Sequence, residues 1–102
     1  MKKVFVCSPL RGDYEKNITA AKTYSCFVAE FGHLPITPHI YFTQFLDDSV
    51  ERDRALGMLM GIELLKMCDE LWVFGPIISD GMSKEIKYWE EMGKKPQYIN
   101  GE

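Results

Sequence analysis

Cysteine is scarce in this sequence. Cys7, Cys26 and Cys68 are the only three in 102 residues, an odd number with no C-x-x-C spacing. That count argues against a disulfide framework and against thiolate metal ligation. Reduced thiols packed as small hydrophobes fit better and point to the cytosol. Long apolar runs are also missing. None approaches the roughly 20 residues of a membrane span, and the apolar run behind Lys2 and Lys3 stops too soon for a signal peptide. A cytoplasmic protein without membrane contact is expected. Positive charge is in deficit, with a net charge of -3 and a pI near 5.4, so no duplex nucleic-acid partner is expected. No Walker pattern G-x-x-x-x-G-K-[ST] occurs, and neither a metal nor a cofactor is expected. Repeats, linkers and low-complexity segments are absent as well.

What is present is a globular balance, 46% hydrophobic and 26% charged. It suits one domain over residues 1–102. So short a chain leaves much of its surface exposed, and burial against a second copy would add stability. A homo-oligomer, a dimer or larger, is expected.

Residues 3–8, KVFVCS, form a short β-rich run ended by the turn-forming SPLRG. From Tyr14 to Phe31 the apolar residues Ala20, Ala21, Tyr24, Phe27, Val28 and Phe31 recur on one helical stripe, closed by Gly32. Residues 34–37, LPIT, read as a second strand, and PHIYFTQFLDD as a loop rich in aromatic residues. A helix over roughly 49–67 follows, with Ser49 or Asp48 as its cap. Its stripe Ala55, Met58, Leu59, Ile62 and Leu65 is expected to face a sheet. A second line, Leu56, Met60, Leu64 and Met67, is expected to face another partner, a second subunit. Residues 70–75, ELWVFG, read as a strand covered on both faces. A helix to about Met92, a stop at Gly93 and a strand PQYIN (96–100) complete the chain. The order β-α-β-α-β-α-β predicts an α/β fold, a three-layer sandwich around a parallel sheet of about four strands. Ligands of such sheets bind beyond the carboxyl ends of the strands. SPLRGD, TPHIYF and GPIISDGMSKE fall at those ends.

Each polar loop has two readings. Ser8, the loop amides and the Arg11 guanidinium can hold an anion, with Gly12 permitting close approach, or the segment is a polar turn carrying a surface arginine. His39, Tyr41 and Phe42 can frame a planar ring, or Phe42 and Phe45 plug the core or a subunit contact. His33, at a helix end, is given no role. Ser79 and Asp80 can be simple caps. Glu85 can be a first-turn acid, stabilised by the helix dipole, or a carboxylate aimed at a ligand.

Three stretches, FVCSPLRGD, the run from LPITPHIYFTQFLDD to CDELWVFG, and SDGMSKE, occur together and in this order. From about Lys3 to Ile99 the chain resembles the nucleoside 2-deoxyribosyltransferase superfamily, in particular its small bacterial and phage members. The resemblance implies a flavodoxin-like (Rossmann-like) fold and a small-molecule nucleoside or nucleotide as partner. In characterised relatives a glutamate nucleophile stands on the helix after the third strand, behind a glycine-containing loop. Glu85 behind Ser79, Asp80 and Gly81 matches that position. The chain is also similar to deoxynucleoside 5'-monophosphate N-glycosidases, whose S-I-R-G loop binds phosphate. Arg11 and Gly12 match that loop directly, Ser8 is displaced by one residue, and Ser79 falls where those hydrolases place a phosphate-binding serine.

The implied chemistry is cleavage or exchange of an N-glycosidic bond, with a carboxylate stabilising and then capturing an oxocarbenium-like centre. Two departures stand out. Where the relatives carry an aspartate that helps protonate the leaving base, this chain has Gly61, with Glu63 nearby on a different face. A tyrosine of their first strand is Phe5 here. Asp53, Asp47 and His39 are the candidates to replace the missing acid. The rival expectation is a module of the same fold that binds or sequesters a nucleotide-derived ligand without turnover. A purely structural oligomer ranks last.

Overall fold

The computed structural model describes residues 1–99, and Asn100, the end of the expected last strand, lies outside them. The elements are β1 (Lys3–Cys7), α1 (Tyr14–Glu30), β2 (Leu34–Ile36), α2 (Pro38–Phe42), α3 (Glu51–Lys66), β3 (Glu70–Phe74), α4 (Asp80–Glu91) and β4 (Gln97–Ile99). The four strands form one sheet in the order β2-β1-β3-β4, parallel throughout. Parallel neighbours need crossovers, and right-handed crossovers place helices on both faces. The chain turns one way from β1 to β2 and the other way to β3, so the carboxyl ends of β1 and β3 flank a switch point.

Period-2 alternation sorts the strand residues between two cores. Phe5, Cys7, Leu71 and Val73 face Leu65 of α3 and Met82, Ile86 and Trp89 of α4. Val4, Val6, Trp72 and Phe74 face Val28 and Tyr24 of α1, with Tyr24 stacked on Phe74 at 4.5 Å between ring centroids. Burying each large apolar side chain contributes about 1.5–3 kcal/mol.

Three local expectations give way. The aromatic segment PHIYF is helix α2 and not loop. Its proline sits at the helix start, where a missing N–H costs nothing and a fixed φ helps, and Thr43 Oγ1 donates to His39 O at 2.6 Å. Neither Ser49 nor Asp48 caps α3; Val50 holds that position. Ser49 instead donates its amide and hydroxyl to Asp47 Oδ1 (3.0 and 2.6 Å), while Asp53 in the first turn accepts from the Asp47 amide at 3.0 Å. The apolar lines of α3 also mix: Leu65 is buried and Ile62 and Leu64 pack on the core, whereas Leu56 and Leu59, one from each expected stripe, are exposed.

Candidate functional site

Glu85 does not stand at a helix start. Helix α4 begins at Asp80, capped by Ser79, whose Oγ accepts from the Met82 amide at 3.3 Å. Glu85 is therefore a turn inside the helix, beyond the reach of the N-terminal dipole, which acts within the first turn. It belongs to the inward stripe Met82, Glu85, Ile86, Trp89, the i, i+3, i+4, i+7 spacing of a buried face. A carboxylate among apolar neighbours has lost most of its water, and Glu85 is only 6% exposed. Burial pushes its carboxyl up to about 7, against a smaller downward pull from the Cys7 thiol. Cys7 Sγ lies 3.4 Å from Glu85 Oε1.

Over this carboxylate, beyond the carboxyl ends of β1, β2 and β3, lies a cavity of about 1060 Å³. Ser8, Arg11, Gly12, His39, Ser79, Asp80, Gly81 and Glu85 all line it. Ser8 follows β1 directly and is 1% exposed, and its Oγ has no hydrogen-bond partner among the described residues. An unpaired buried hydroxyl is costly in isolation. Gly12 has φ +103°, a conformation that suits only glycine; it turns the loop toward Asp13, whose Oδ1 accepts from the Lys16 amide at the start of α1. Arg11 is largely exposed and faces Asp48 Oδ2 at 3.6 Å. So exposed a pair is weak, and an incoming anion can recruit the guanidinium.

His39 enters through α2. Its Nε2 lies 2.8 Å from the Ser8 carbonyl oxygen, and because a carbonyl only accepts, Nε2 carries the hydrogen. Burial holds the ring below its ordinary pKa, against the opposing effects of that bond and of Asp48. Tyr41 is the one expected site residue outside the lining. The turn of α2 points it outward, 63% exposed, against Phe42 and Phe45 at 5.5 and 5.4 Å between centroids.

Of the possible acids, Asp53 lines the cavity and Asp47 lines only a neighbouring dent. Both Asp53 oxygens are engaged, Oδ2 by the Asp47 amide and Oδ1 by Arg52 at 3.2 Å. Glu63 pairs with Lys66 at 2.9 Å and is not in the lining. Gly61 does line the cavity, and a Cβ added there would meet nothing within 4 Å. Among the described residues no three His, Cys, Asp or Glu side chains gather to hold a metal ion, and no helix is long and apolar enough to cross a membrane.

Reasoning from sequence missed Arg54 and Lys84 in the lining, and it missed Cys7 beneath Glu85. Strand alternation would have found the last of these, because Cys7 shares the face of Phe5.

The chain belongs to the family described as a domain of unknown function (DUF7768), whose model matches residues 2–99. No curated protein matches it significantly. Among solved structures it is similar to a 2-deoxyribosyltransferase of Bacillus psychrosaccharolyticus, with a TM-score of 0.73 and 16% identity over 94% of this chain and 70% of that one. It is also similar to a 2-deoxyribosyltransferase of Leishmania mexicana, with a TM-score of 0.63 and 12% identity over 97% of this chain and 64% of the other. The chain thus spans about two thirds of the length of these proteins. The likeness is one of fold, the flavodoxin-like α/β sandwich.

Proposed function

We propose that this DUF7768 protein holds a nucleoside or nucleoside 5'-monophosphate over Glu85 and cleaves or exchanges its N-glycosidic bond. One observation carries the reading: the buried Glu85 carboxylate and the arginine loop, Ser8 to Gly12, border a single cavity. A carboxylate turned into bulk water, remote from that loop, would have ended it. The likeness in fold to 2-deoxyribosyltransferases supports the reaction class.

As the C–N bond breaks, its electron pair leaves with the base and positive charge develops at the anomeric carbon. Glu85 stabilises that charge and closes on the carbon as an ester. Water then frees the sugar, or a second base attacks to give a new nucleoside. Only ionised Glu85 can attack, so the rate rises with pH through about 7, where this carboxyl titrates. Ser8, Ser79, Arg11 and the amides of Asp80 and Gly81 anchor a 5'-phosphate and fix the sugar over the carboxylate. His39 contributes by holding Ser8, and Tyr41 takes no part.

The leaving base needs a proton, and here a specific observation favours a second reading. Gly61 offers none, Asp53 is doubly engaged, and the His39 Nε2 hydrogen is committed to Ser8. A cavity that binds and sequesters a nucleotide-derived ligand without turnover fits the same residues.

Incubation with a panel of deoxynucleosides and their monophosphates, with and without an acceptor base, separates the two. Free or exchanged base that vanishes in Glu85→Gln supports the enzyme. Tight binding without product, unchanged in Glu85→Gln, supports sequestration and sinks the enzyme. The reading extends to assembly: a second copy covers the exposed Leu56, Leu59 and Met67 of the α3 region.

A further inference from the structure

We propose that Cys7 is the positioning residue of Glu85: its thiol holds Oε1 from the sheet side and leaves Oε2 directed at the ligand. The role rests on Glu85 being the nucleophile, but its physical core can be tested without turnover.

Cys7 ends β1 on the face that packs against α4. Its sulfur lies 3.4 Å from Glu85 Oε1 and 3.9 Å from the Met82 carbonyl oxygen. Among the described residues no other side chain donates to Glu85, and Glu85 itself lines the cavity. Burial and the adjacent carboxylate raise the proton affinity of the Cys7 thiol far above that of a free cysteine. The hydrogen therefore stays on sulfur, and Glu85 accepts.

A thiol is a weak donor, and that weakness has a use. Strong donors stabilise a carboxylate and blunt it as a nucleophile. With no donor at all, a carboxylate buried this deeply stays protonated. Other charged groups border the same cavity: Arg11 and Asp48 from loops, His39 from α2, Glu51, Asp53 and Arg54 from α3, and Asp80 and Lys84 from α4. They carry both signs. Burial, which raises the proton affinity of Glu85, and the Cys7 thiol, which lowers it, nonetheless set its titration.

The test follows the Glu85 carboxyl by 13C NMR of glutamate-labelled protein, with Glu85→Gln identifying its signal, in wild type, Cys7→Ala and Cys7→Ser. The midpoint is expected to rise by about half a unit to one unit in Cys7→Ala and to fall by a similar amount in Cys7→Ser. Loss of packing alone would lower stability without producing that order. Should Cys7→Ala fail to fold, the direction in Cys7→Ser decides. Equal midpoints, or the reverse order, overturn the proposal. Base release by the wild type with an unmoved midpoint also overturns it while sparing the glycosidase reading. The expected order with no base released by any form upholds the positioning role and removes the glycosidase reading.

Discussion

The Nε2–H of His39 donates to the Ser8 carbonyl over 2.8 Å, so a side chain of α2 clamps the first residue of the loop that follows β1. The sheet brings the ends of β1 and β2 side by side, and the clamp converts that neighbourhood into a fixed loop position.

Replacing His39 by alanine leaves the Ser8 carbonyl without this donor. The expected loss of stability is about 1–2 kcal/mol at neutral pH, measured by urea unfolding. The native ring titrates below its ordinary value, so the unfolded chain takes up this proton first as pH falls below roughly 6.5. The stabilising contribution is present above that pH and fades beneath it. An undiminished difference between wild type and variant in acid would count against it.

Glu85 acts with the opposite sign. Its folded carboxyl titrates at about 7, whereas an unfolded glutamate titrates at about 4.3. The folded state therefore holds the extra proton between these values, and stability falls as pH rises across that window. Glu85→Gln removes the dependence. At pH 8 the variant should be more stable than wild type by on the order of 2–3 kcal/mol, and the two should converge near the pH of an unfolded carboxyl. Urea midpoints at both ends of the window check this; parallel curves would refute it.

Ser8→Ala separates binding from folding. Its hydroxyl is buried without a partner, so its removal should leave stability within about 0.5 kcal/mol of wild type or raise it. Affinity for a deoxynucleoside 5'-monophosphate should drop about tenfold, as for loss of one charge-assisted hydrogen bond, while affinity for the unphosphorylated nucleoside stays put. Calorimetric titration of both ligands reads the difference, and equal losses for the two would remove Ser8 from the phosphate site.

Gly61→Asp is a gain-of-function experiment. The new Cβ has open space, and the position borders the same cavity as Glu85. A placed acid typically contributes about 10²–10⁴-fold, so base release should quicken by at least about tenfold. An unchanged rate in a folded variant would mean that proton delivery does not limit the reaction.

Leu59 is 67% exposed on α3. Sedimentation equilibrium of the wild type should give a mass above the 11.8 kDa of one chain, and Leu59→Glu should return it to that value. A wild type that stays at one chain's mass at every concentration would remove the second copy from the reading.

Much of the fold was legible because it follows from local pattern. Short continuous apolar, β-rich runs mark Lys3–Cys7 and Glu70–Phe74, and the stripe through Ala21 and Val28 marks α1. Helix α2 was misread because Pro38 breaks a helix from within but favours one at its first position. The stripes of α3 were mixed because an apolar line gives a period without saying which side meets the core. The polar part of the candidate site was legible as polar residues at strand ends, all of which border the cavity except Tyr41, since the outward turn of α2 decides its direction.

The sequence by itself determined the order of elements apart from α2, the parallel sheet and the set of loops that gather at one edge, because these depend on spacing along the chain. It also placed an acid in an otherwise apolar stripe of α4. Tertiary structure alone decided what that acid is. Packing of α4 on β1 strips Glu85 of water, sets a thiol 3.4 Å from one oxygen and raises its titration to about 7. A carboxyl's proton affinity depends on the dielectric and the donors around it in three dimensions, and no spacing of residues encodes those directly.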